Sequence, residues 1–276
     1  VGEFLTAMTQ RDMQMSIEEG QTLNFLEVPR EVELAIIDTT DPKSDHNYLI
    51  PQSLLSNGAL IEVPDTPLQV RVVRFFQNAS VGRRAPEMAA AATMGIGAQI
   101  AIEELPPASR DDARDMSAAI IEPMAGGHSY GKWLVSLGLG APQSFMHEGH
   151  TYVLKMRPRR QYLPYTVTLK EFSHDVYPGT RIPKNFSSLV HLSNPVQDEE
   201  RDVLIYMNQP LRYDGKAFYQ ASFGKNDTLS VLQVVENPSW LLPYIACVLV
   251  GLGLLLHFGL TLRRSMARRQ RAARRA

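Results

Sequence analysis

Hydrophobic and polar residues alternate in short runs along most of this chain, and turn-forming residues bound most of the runs. Alternation with a period of two is typical of a half-buried β-strand. The clearest run is VRVVRFF at 70–76, which is rich in β-branched and aromatic residues. The predicted strands are 22–28, 32–38, 60–63, 68–77, 97–104, 118–122, 132–138, 151–157, 165–172, 186–192, 201–206, 217–223 and 229–235. Strands at intervals of roughly 10 to 15 residues without long helical patterns between them predict a mainly β, antiparallel, sandwich-like or barrel-like fold.

Three segments depart from this pattern. Residues 1–21 are polar with scattered Met, and we expect a helix or a connector there. The Ala-rich stretch 78–94 predicts a surface loop or a short helix, and the charged stretch 106–115 predicts a second loop. We therefore expect residues 22–239 to form a β-rich domain, with a sub-boundary near 142–162 if there are two domains.

The C-terminal end combines a long uncharged run with a basic tail. Residues 240–262 contain 23 positions without a charged side chain, and a helix of that length covers about 34 Å, enough to span a hydrocarbon core. The tail, 263–276, carries seven Arg and no acid. Basic flanks stay in the cytoplasm, so we expect residues 1–239 on the extracytoplasmic face of a membrane. Three alternatives are less favoured. A buried core helix rarely lacks charge over 23 residues, a cleaved signal lies at the N-terminus, and a C-terminal lipid-anchor signal does not end in seven Arg.

Charge and cysteine content narrow the function classes. The formal net charge is −1, but without the seven tail charges the remaining 262 residues carry about −8. This acidic balance disfavours nucleic-acid binding, whereas the tail suits anionic lipid headgroups.

The single cysteine, Cys247, lies in the predicted span, so residues 1–239 contain no disulfide and no Cys-based zinc site. No CxxCH occurs, and the protein is therefore not itself a c-type cytochrome. The chain begins with Val1 rather than Met, so it is either processed or a fragment. Because it has no N-terminal apolar segment long enough to be a signal or a span, we expect membrane helices upstream of it.

Several polar clusters are candidates for chemistry. His147 and His150 are three residues apart, a spacing that could chelate a metal on a helix, but Gly149 favours a turn. His128, in a Gly-rich segment, is either functional or a solvated loop residue. The three Arg of MRPRRQY at 156–162 could bind haem propionates or headgroups, and a solvated turn between strands is the simpler interpretation. No catalytic triad or carboxylate pair can be assembled from the spacing, so we assign no catalytic residue, and a membrane-anchored hydrolase is disfavoured.

Three stretches near the C-terminus, 162–195, 203–223 and 236–244, carry an ordered set of motifs. Their order resembles the ResB-like family of cytochrome c maturation proteins. The resemblance is dense over residues 162–262 and thinner at 18–25 and 92–102. The matching residues are Leu169, Glu171, Phe172, Tyr177, Pro178, Gly179, Pro183, Lys184, Asn185, Phe186, Ser188, Met207, Asn208, Pro210, Leu211, Tyr213, Gly215, Tyr219, Gln220, Asn237, Pro238, Pro243 and Tyr244.

The resemblance implies a membrane subunit of the second cytochrome c maturation system, in the cytoplasmic (inner) membrane. Such subunits pair with a CcsA-type protein, and the complex delivers haem and attaches it to apocytochrome c, as a haem lyase. The resemblance also implies that this chain is a C-terminal portion preceded by three membrane helices, with no catalytic activity by itself. The competing hypothesis is a membrane-anchored β-sandwich with a binding or structural role unrelated to haem.

His257 is the candidate haem contact that the residues themselves offer, since the family's own membrane histidine lies in a helix that this chain lacks. It lies about six residues, or about 9 Å, past the middle of the predicted span. Ionisable groups in a span usually face a bundle interior, a cavity or a cofactor, and imidazole is a haem ligand. A neutral His bonded to another helix or reaching toward headgroups is the alternative. Gly251, Gly253 and Gly259 predict close helix packing, and Trp240 and Tyr244 predict anchors at the outer interface.

Overall fold

The computed structural model describes residues 10–273 except 42, 86, 88, 109–113, 177–182 and 225–227. These residues form seventeen strands and one α-helix, so the predicted mainly β, antiparallel fold with a C-terminal apolar helix is confirmed. The elements are β1 Arg11–Glu18, β2 Thr22–Asp38, β3 His46–Pro51, β4 Leu60–Glu62, β5 Leu68–Phe76, β6 Ala79–Arg83, β7 Ile100–Glu104, β8 Ala118–Ala125, β9 His128–Ser129, β10 Trp133–Ser136, β11 Gln143–His147, β12 His150–Val176, β13 Pro183–Asn194, β14 Glu199–Tyr206, β15 Leu211–Tyr213, β16 Lys216–Gly224, β17 Leu229–Glu236 and α1 Leu242–Ala273.

The chain divides into two compact units. Unit 1 comprises Val1–Leu23 and Tyr165–Ala276, and unit 2 comprises Asn24–Pro164. The sequence of unit 2 is thus inserted into that of unit 1, and the strands β2 and β12 each run from one unit into the other. The division expected from sequence, into a connector, a β-rich domain, a span and a tail, stays a prediction.

Unit 1 is built from one strongly curved antiparallel sheet. Its strands follow the order β14-β13-β12-β2-β1-β17-β16-β15. β14 and β13 return close to β16, which makes the sheet a nearly closed barrel. Inward-facing residues alternate along each strand and fill the interior, as a period of two requires. Representative buried residues are Met15, Ile17, Val167, Leu169, Val190, Leu192, Ile205, Phe218, Leu232 and Val234.

The strand β1 differs from the helix or connector expected over residues 1–21. Met13, Met15 and Ile17 alternate with more exposed neighbours and are each no more than 2% exposed. β1 pairs antiparallel with β17 over its whole length, from Arg11 opposite Glu236 to Glu18 opposite Leu229. Met has no strong strand preference, so the segment becomes a strand because pairing with a distant strand buries its alternate side chains.

Unit 2 contains two sheets and a ribbon. The last part of β2 pairs with β3, and β11 pairs with the first part of β12. A second sheet has the order β10-β8-β5-β4, with β9 beside β8. The β6–β7 ribbon begins in the segment 78–94, which was expected to be a loop or a short helix. One apolar core joins strands of the two sheets, including Leu34, Ile36, Val70, Val72, Ile121, Val135, Phe145 and Leu154.

The helix α1 is longer than the predicted span. Residues Leu242–Met266, 25 in number, are long and apolar enough to cross a membrane, with a mean hydropathy of 2.3 and no burial of the apolar window inside the protein. Trp240 and Leu241 belong to a turn instead, and Pro243 lies in the first turn of the helix, where a missing N–H is tolerated. The helix continues to Ala273, so most of the basic tail is helical.

Candidate functional site

A buried hydrogen-bond network lies inside unit 1, where β13, β16 and β17 meet. Ser188 and Ser230 are both 0% exposed, and their Oγ atoms are 2.7 Å apart. Ser188 Oγ donates to Gln220 Oε1 at 2.6 Å. Gln220 Nε2 donates to Ser230 Oγ and to the Ser222 carbonyl, each at 3.1 Å. The structure therefore brings together Ser188 and Gln220, two motif residues that lie 32 positions apart in the sequence.

Gln220 also explains a local irregularity. The pairing of β16 with β17 shifts register between Gln220 and Ser222, which is the mark of a β-bulge. A bulge leaves backbone groups without their ladder partners, and the Gln220 amide binds the Ser222 carbonyl. The side chain thus stabilises the break in the sheet while its other contacts join three strands.

An aromatic cluster lies on the strands β12, β13 and β16. The Phe223 ring lies 5.5 Å from that of Phe172, 5.7 Å from that of Phe186 and 4.5 Å from the His174 imidazole, measured between centroids. Phe172 and Phe186 belong to the motifs identified in the sequence, whereas His174 and Phe223 were not singled out. The alternation of residues in β12 and β16 could have indicated which face of its strand each side chain occupies. Only the pairing of the strands in the fold shows that the two residues lie together. We call Phe172, His174, Phe186, Ser188, Gln220, Phe223 and Ser230 the motif cluster.

The other motif residues shape turns. Asn208 has φ +67°, a left-handed conformation that Asn tolerates, and it turns the chain between β14 and β15. Met207 is 49% exposed there, Pro210 is half-buried, and Leu211 is buried as β15 begins. Tyr219 points outward from β16 and is 37% exposed.

Other motif residues lie at the start of β13 and around the start of α1. Pro183 lies opposite Val176, and Asn185 lies opposite Asp175. Lys184 lies between them in β13, while Tyr177, Pro178 and Gly179 lie outside the described residues. Asn237 Oδ1 accepts a hydrogen bond from the Ser239 N–H at 3.0 Å, which starts the turn that contains Pro238. Tyr244 packs edge-to-face on Trp240 at 6.1 Å.

His257 lies on an exposed face of α1. It is three residues past the middle of the Leu242–Met266 segment, or about 4.5 Å, and so lies nearer the centre than the sequence indicated. The described ring next to it is that of its neighbour Phe258, at 5.9 Å. This placement leaves the imidazole available to a second helix or to a ligand in the bilayer.

Two histidines of unit 2, His147 and His150, each lie within hydrogen-bond distance of an oxygen atom. His147 and His150 lie opposite each other across the β11–β12 hairpin, whose turn places Glu148 and Gly149 at φ +47° and +83°. The Tyr130 hydroxyl lies 2.5 Å from His147 Nδ1, and Asp38 Oδ2 lies 2.8 Å from His150 Nδ1.

These histidines lie apart from any cluster of three ligands. His128, His147, Tyr130 and Met146 line an open cavity of about 420 Å³. Within the described part of the chain, no three His, Cys, Asp or Glu side chains lie close enough to hold a metal ion. The segment 147–150 is therefore a hairpin turn, and its two histidines bind different partners.

Asp38 has a perturbed carboxyl group. Burial raises its pKa, but hydrogen bonds from the Thr40 hydroxyl and N–H, together with His150, outweigh burial and hold the pKa below its usual value. The Thr40 N–H donates to Asp38 Oδ1 at 3.0 Å, and the Thr40 hydroxyl donates to the same atom.

The three Arg of 156–162 lie inside the long strand β12, and the predicted solvated turn is wrong. Arg157 Nε donates to Glu33 Oε1 at 2.8 Å, and the two side chains are only 7% and 6% exposed. Arg159 pairs with Glu31 at 3.0 Å at the surface. The Arg160 guanidinium lies 3.9 Å above the Phe25 ring, and burial, then Arg157, lowers its pKa. These contacts give all three Arg partners within unit 2.

Two comparisons relate the chain to known proteins. The model of the ResB-like family matches residues 118–231, which include the strands β8 to β16 and the start of β17. Protein NrfI of Wolinella succinogenes is similar, with 34% identity over 98 residues. That alignment covers 36% of this chain and 11% of the relative, so the chain spans a small part of that protein's length.

Proposed function

Residues 118–231 of this chain are ResB-like, and from this premise we propose that the protein is a membrane subunit of a cytochrome c maturation complex. The observation that carries the proposal is the ordered set of motifs, which ends beside a helix long enough to cross a membrane. The match ends at residue 231, and the candidate span starts at Leu242. The motif residues Asn237 and Pro238 lie in the short connection between them, and Pro243 lies in the first turn of the helix.

In finer detail, the proposed complex delivers haem to apocytochrome c together with a CcsA-type partner. Units 1 and 2 lie on the extracytoplasmic face of the inner membrane, and the basic end of α1 lies in the cytoplasm. The charge distribution supports this orientation, since the seven Arg lie at and beyond the C-terminal end of the span and an acidic balance of about −8 precedes them.

The motif cluster supports a role for unit 1 in holding partner proteins of the complex in place. Ser188, Gln220 and Ser230 are hydrogen-bonded to one another, and the two serines are fully buried. Because Ser188 Oγ is bound to an amide and a hydroxyl, and not to a general base, it is not an activated nucleophile. The cluster fixes three strands of the barrel, which gives a rigid platform for partner proteins.

Haem is the expected cofactor, and the span contains one residue, His257, whose side chain is of a kind that binds haem iron. His257 offers an exposed imidazole on α1, and a haem iron accepts imidazole as an axial ligand. In this proposal His257 holds the haem at the face that α1 presents to a partner helix. When bound, the haem is the group that the complex transfers to apocytochrome c.

The test is co-expression of the full-length subunit with its CcsA-type partner and an apocytochrome, followed by absorbance of the purified complex. We expect a Soret band that requires this subunit, and covalent haem in the cytochrome. Equal haem retention without the subunit would show that the role is wrong. Normal cytochrome c maturation in cells lacking it would favour the alternative, a membrane-anchored β module unrelated to haem.

The His257 contact is tested separately by His257→Ala, with His128→Ala as the matched control. Only the first substitution should shift or weaken the Soret band, because His128 lies in the short strand β9 of unit 2, outside the span. An unchanged band in His257→Ala removes this residue from the proposal but leaves the subunit role intact.

A further inference from the structure

We propose that the end of unit 1 from which α1 leaves rests on the lipid bilayer, and that the β13–β14 turn inserts Val196 into the lipid interface. This inference rests on the membrane placement given in the proposed function. Val196 lies in the turn after Asn194 and is 80% exposed. Among the described residues no other large hydrophobic side chain is as exposed, including those of the apolar helix. An apolar side chain at a rigid tip is suited to the boundary between headgroups and acyl chains.

Strand register places this turn at the same end of the barrel as the start of the helix. Glu236, the last residue of β17, lies opposite Lys216, the first residue of β16. Lys216 in turn lies opposite Tyr213 of β15. The Tyr213 hydroxyl accepts a hydrogen bond from Asn194 Nδ2 at 2.8 Å and donates one to Gln197 Oε1 at 3.0 Å. Tyr213 therefore ties the two sides of the Val196 turn to the strand ends beside Glu236.

The connector from β17 to the helix is too short to hold the barrel away from the membrane. Residues 237–241 would reach at most about 18 Å if fully extended. They are folded back, because the Ser239 N–H binds Asn237 Oδ1 and the Leu242 N–H binds the Ser239 carbonyl, each at 3.0 Å. Trp240 and Tyr244, 58% and 64% exposed, are suited to the headgroup level. The barrel end thus lies against the interface that these aromatic residues mark.

The turn presents Val196 in a fixed direction. Asn194 Oδ1 accepts hydrogen bonds from the N–H groups of Val196 and Gln197, at 3.0 and 3.3 Å. Asp198 has φ +51° and completes the reversal. Because Asp198, Glu199 and Glu200 carry negative charge beside the tip, the contact is apolar and does not depend on anionic lipid.

The experiment uses the full chain in lipid nanodiscs and its single native cysteine, Cys247, which lies in the span. A bimane label is placed at Cys247, or at Val196→Cys or Gln21→Cys in a Cys247→Ser background. Gln21 is exposed at the opposite end of the barrel, beyond β1, whose eight residues cover about 26 Å. Spin-labelled phosphatidylcholine should quench the label at Val196→Cys about twofold or more relative to Gln21→Cys, because only the former lies at the depth of the interface.

Each outcome bears on a different claim. If the label on Cys247 escapes quenching by acyl-chain spin labels, the membrane placement itself is wrong. If Cys247 is quenched but Val196→Cys and Gln21→Cys respond equally, the seating of the barrel is overturned while the placement stands. Quenching of Val196→Cys that requires anionic lipid would overturn the apolar contact, whereas equal quenching in neutral and anionic discs supports it.

Discussion

At the residue scale, Gln220 links three strands through one amide. Its Oε1 accepts from Ser188, and its Nε2 donates to Ser230 and to the carbonyl exposed by the bulge. The sequence identified Ser188 and Gln220 as motif residues but could not pair them, because the contact depends on a register shift that no local pattern encodes. The Asp38–His150 contact could not be predicted from the sequence either, since its partners are 112 residues apart.

Replacing Gln220 with Leu should destabilise unit 1 by about 1–3 kcal/mol, because buried hydroxyls and a carbonyl lose their partner. The free energy of unfolding, measured by chemical denaturation with circular dichroism, is the readout. Gln233→Leu, at an exposed position of β17, is the matched control and should change stability little. Equal effects of the two substitutions would show that the network contributes nothing specific.

Acidification should selectively weaken the Asp38 contact. The pKa of Asp38 is lower in the folded protein than in the unfolded chain, so its contribution is present above about pH 4 and is lost as the pH falls through the folded value. The stability difference between wild type and Asp38→Asn should therefore be constant near neutrality and shrink on acidification below about pH 4. Thermal unfolding across pH measures it, with the exposed Asp45→Asn as control. A difference that does not change with pH would contradict the assignment.

At the element scale, long strands replace several shorter predicted ones. β12 runs from His150 to Val176, whereas the sequence predicted strands at 151–157 and 165–172 with polar residues between them. The residues between contain two Arg and two Pro, and Pro usually marks a turn. Tertiary contacts override that preference, because Arg159 and Arg160 find partners on β2, as Arg157 does just before them. Alternation predicted most strands correctly, but it could not predict that charged positions were buried.

Breaking the buried Arg157–Glu33 pair should be costly. Glu33→Gln or Arg157→Met leaves one charge without its partner in a buried site, and each should destabilise unit 2 by about 3–5 kcal/mol. The double substitution should cost clearly less than the sum, since no isolated charge remains. Denaturation of the four proteins gives the coupling energy. Glu31→Gln, which breaks the half-exposed pair with Arg159, should cost under about 1 kcal/mol. Additive single effects would contradict a coupled pair.

At the scale of the whole molecule, composition and periodicity were sufficient to predict a β-rich protein with one apolar helix. They could not predict the nesting of unit 2 within unit 1, because that depends on β1 pairing with β17 across more than two hundred residues. The basic residues were expected to form a tail after the span, but the helix continues through most of them. Arg has a good helical propensity, so an apolar helix can extend into such a segment.

When the segment 1–276 is expressed by itself, removing residues 240–276 should release it from membranes, because the described residues that remain bury most of their apolar side chains in the interiors of the two units. Flotation of membranes after an alkaline wash measures the difference, with Cys247→Ser in the full chain as control. Continued flotation of the shortened chain would indicate that the Val196 end or another surface binds lipid strongly without α1.

The nested order of the two units has a consequence for biosynthesis. β1 emerges early, yet its partner β17 follows only after the whole of unit 2 and most of unit 1 have been made. At about 5–20 residues per second this interval lasts on the order of ten to forty seconds, during which β1 has an open edge. Unit 2 has a continuous sequence and can fold during that wait. Closure of the barrel then coincides with the synthesis of α1, the helix that is long and apolar enough to cross a membrane.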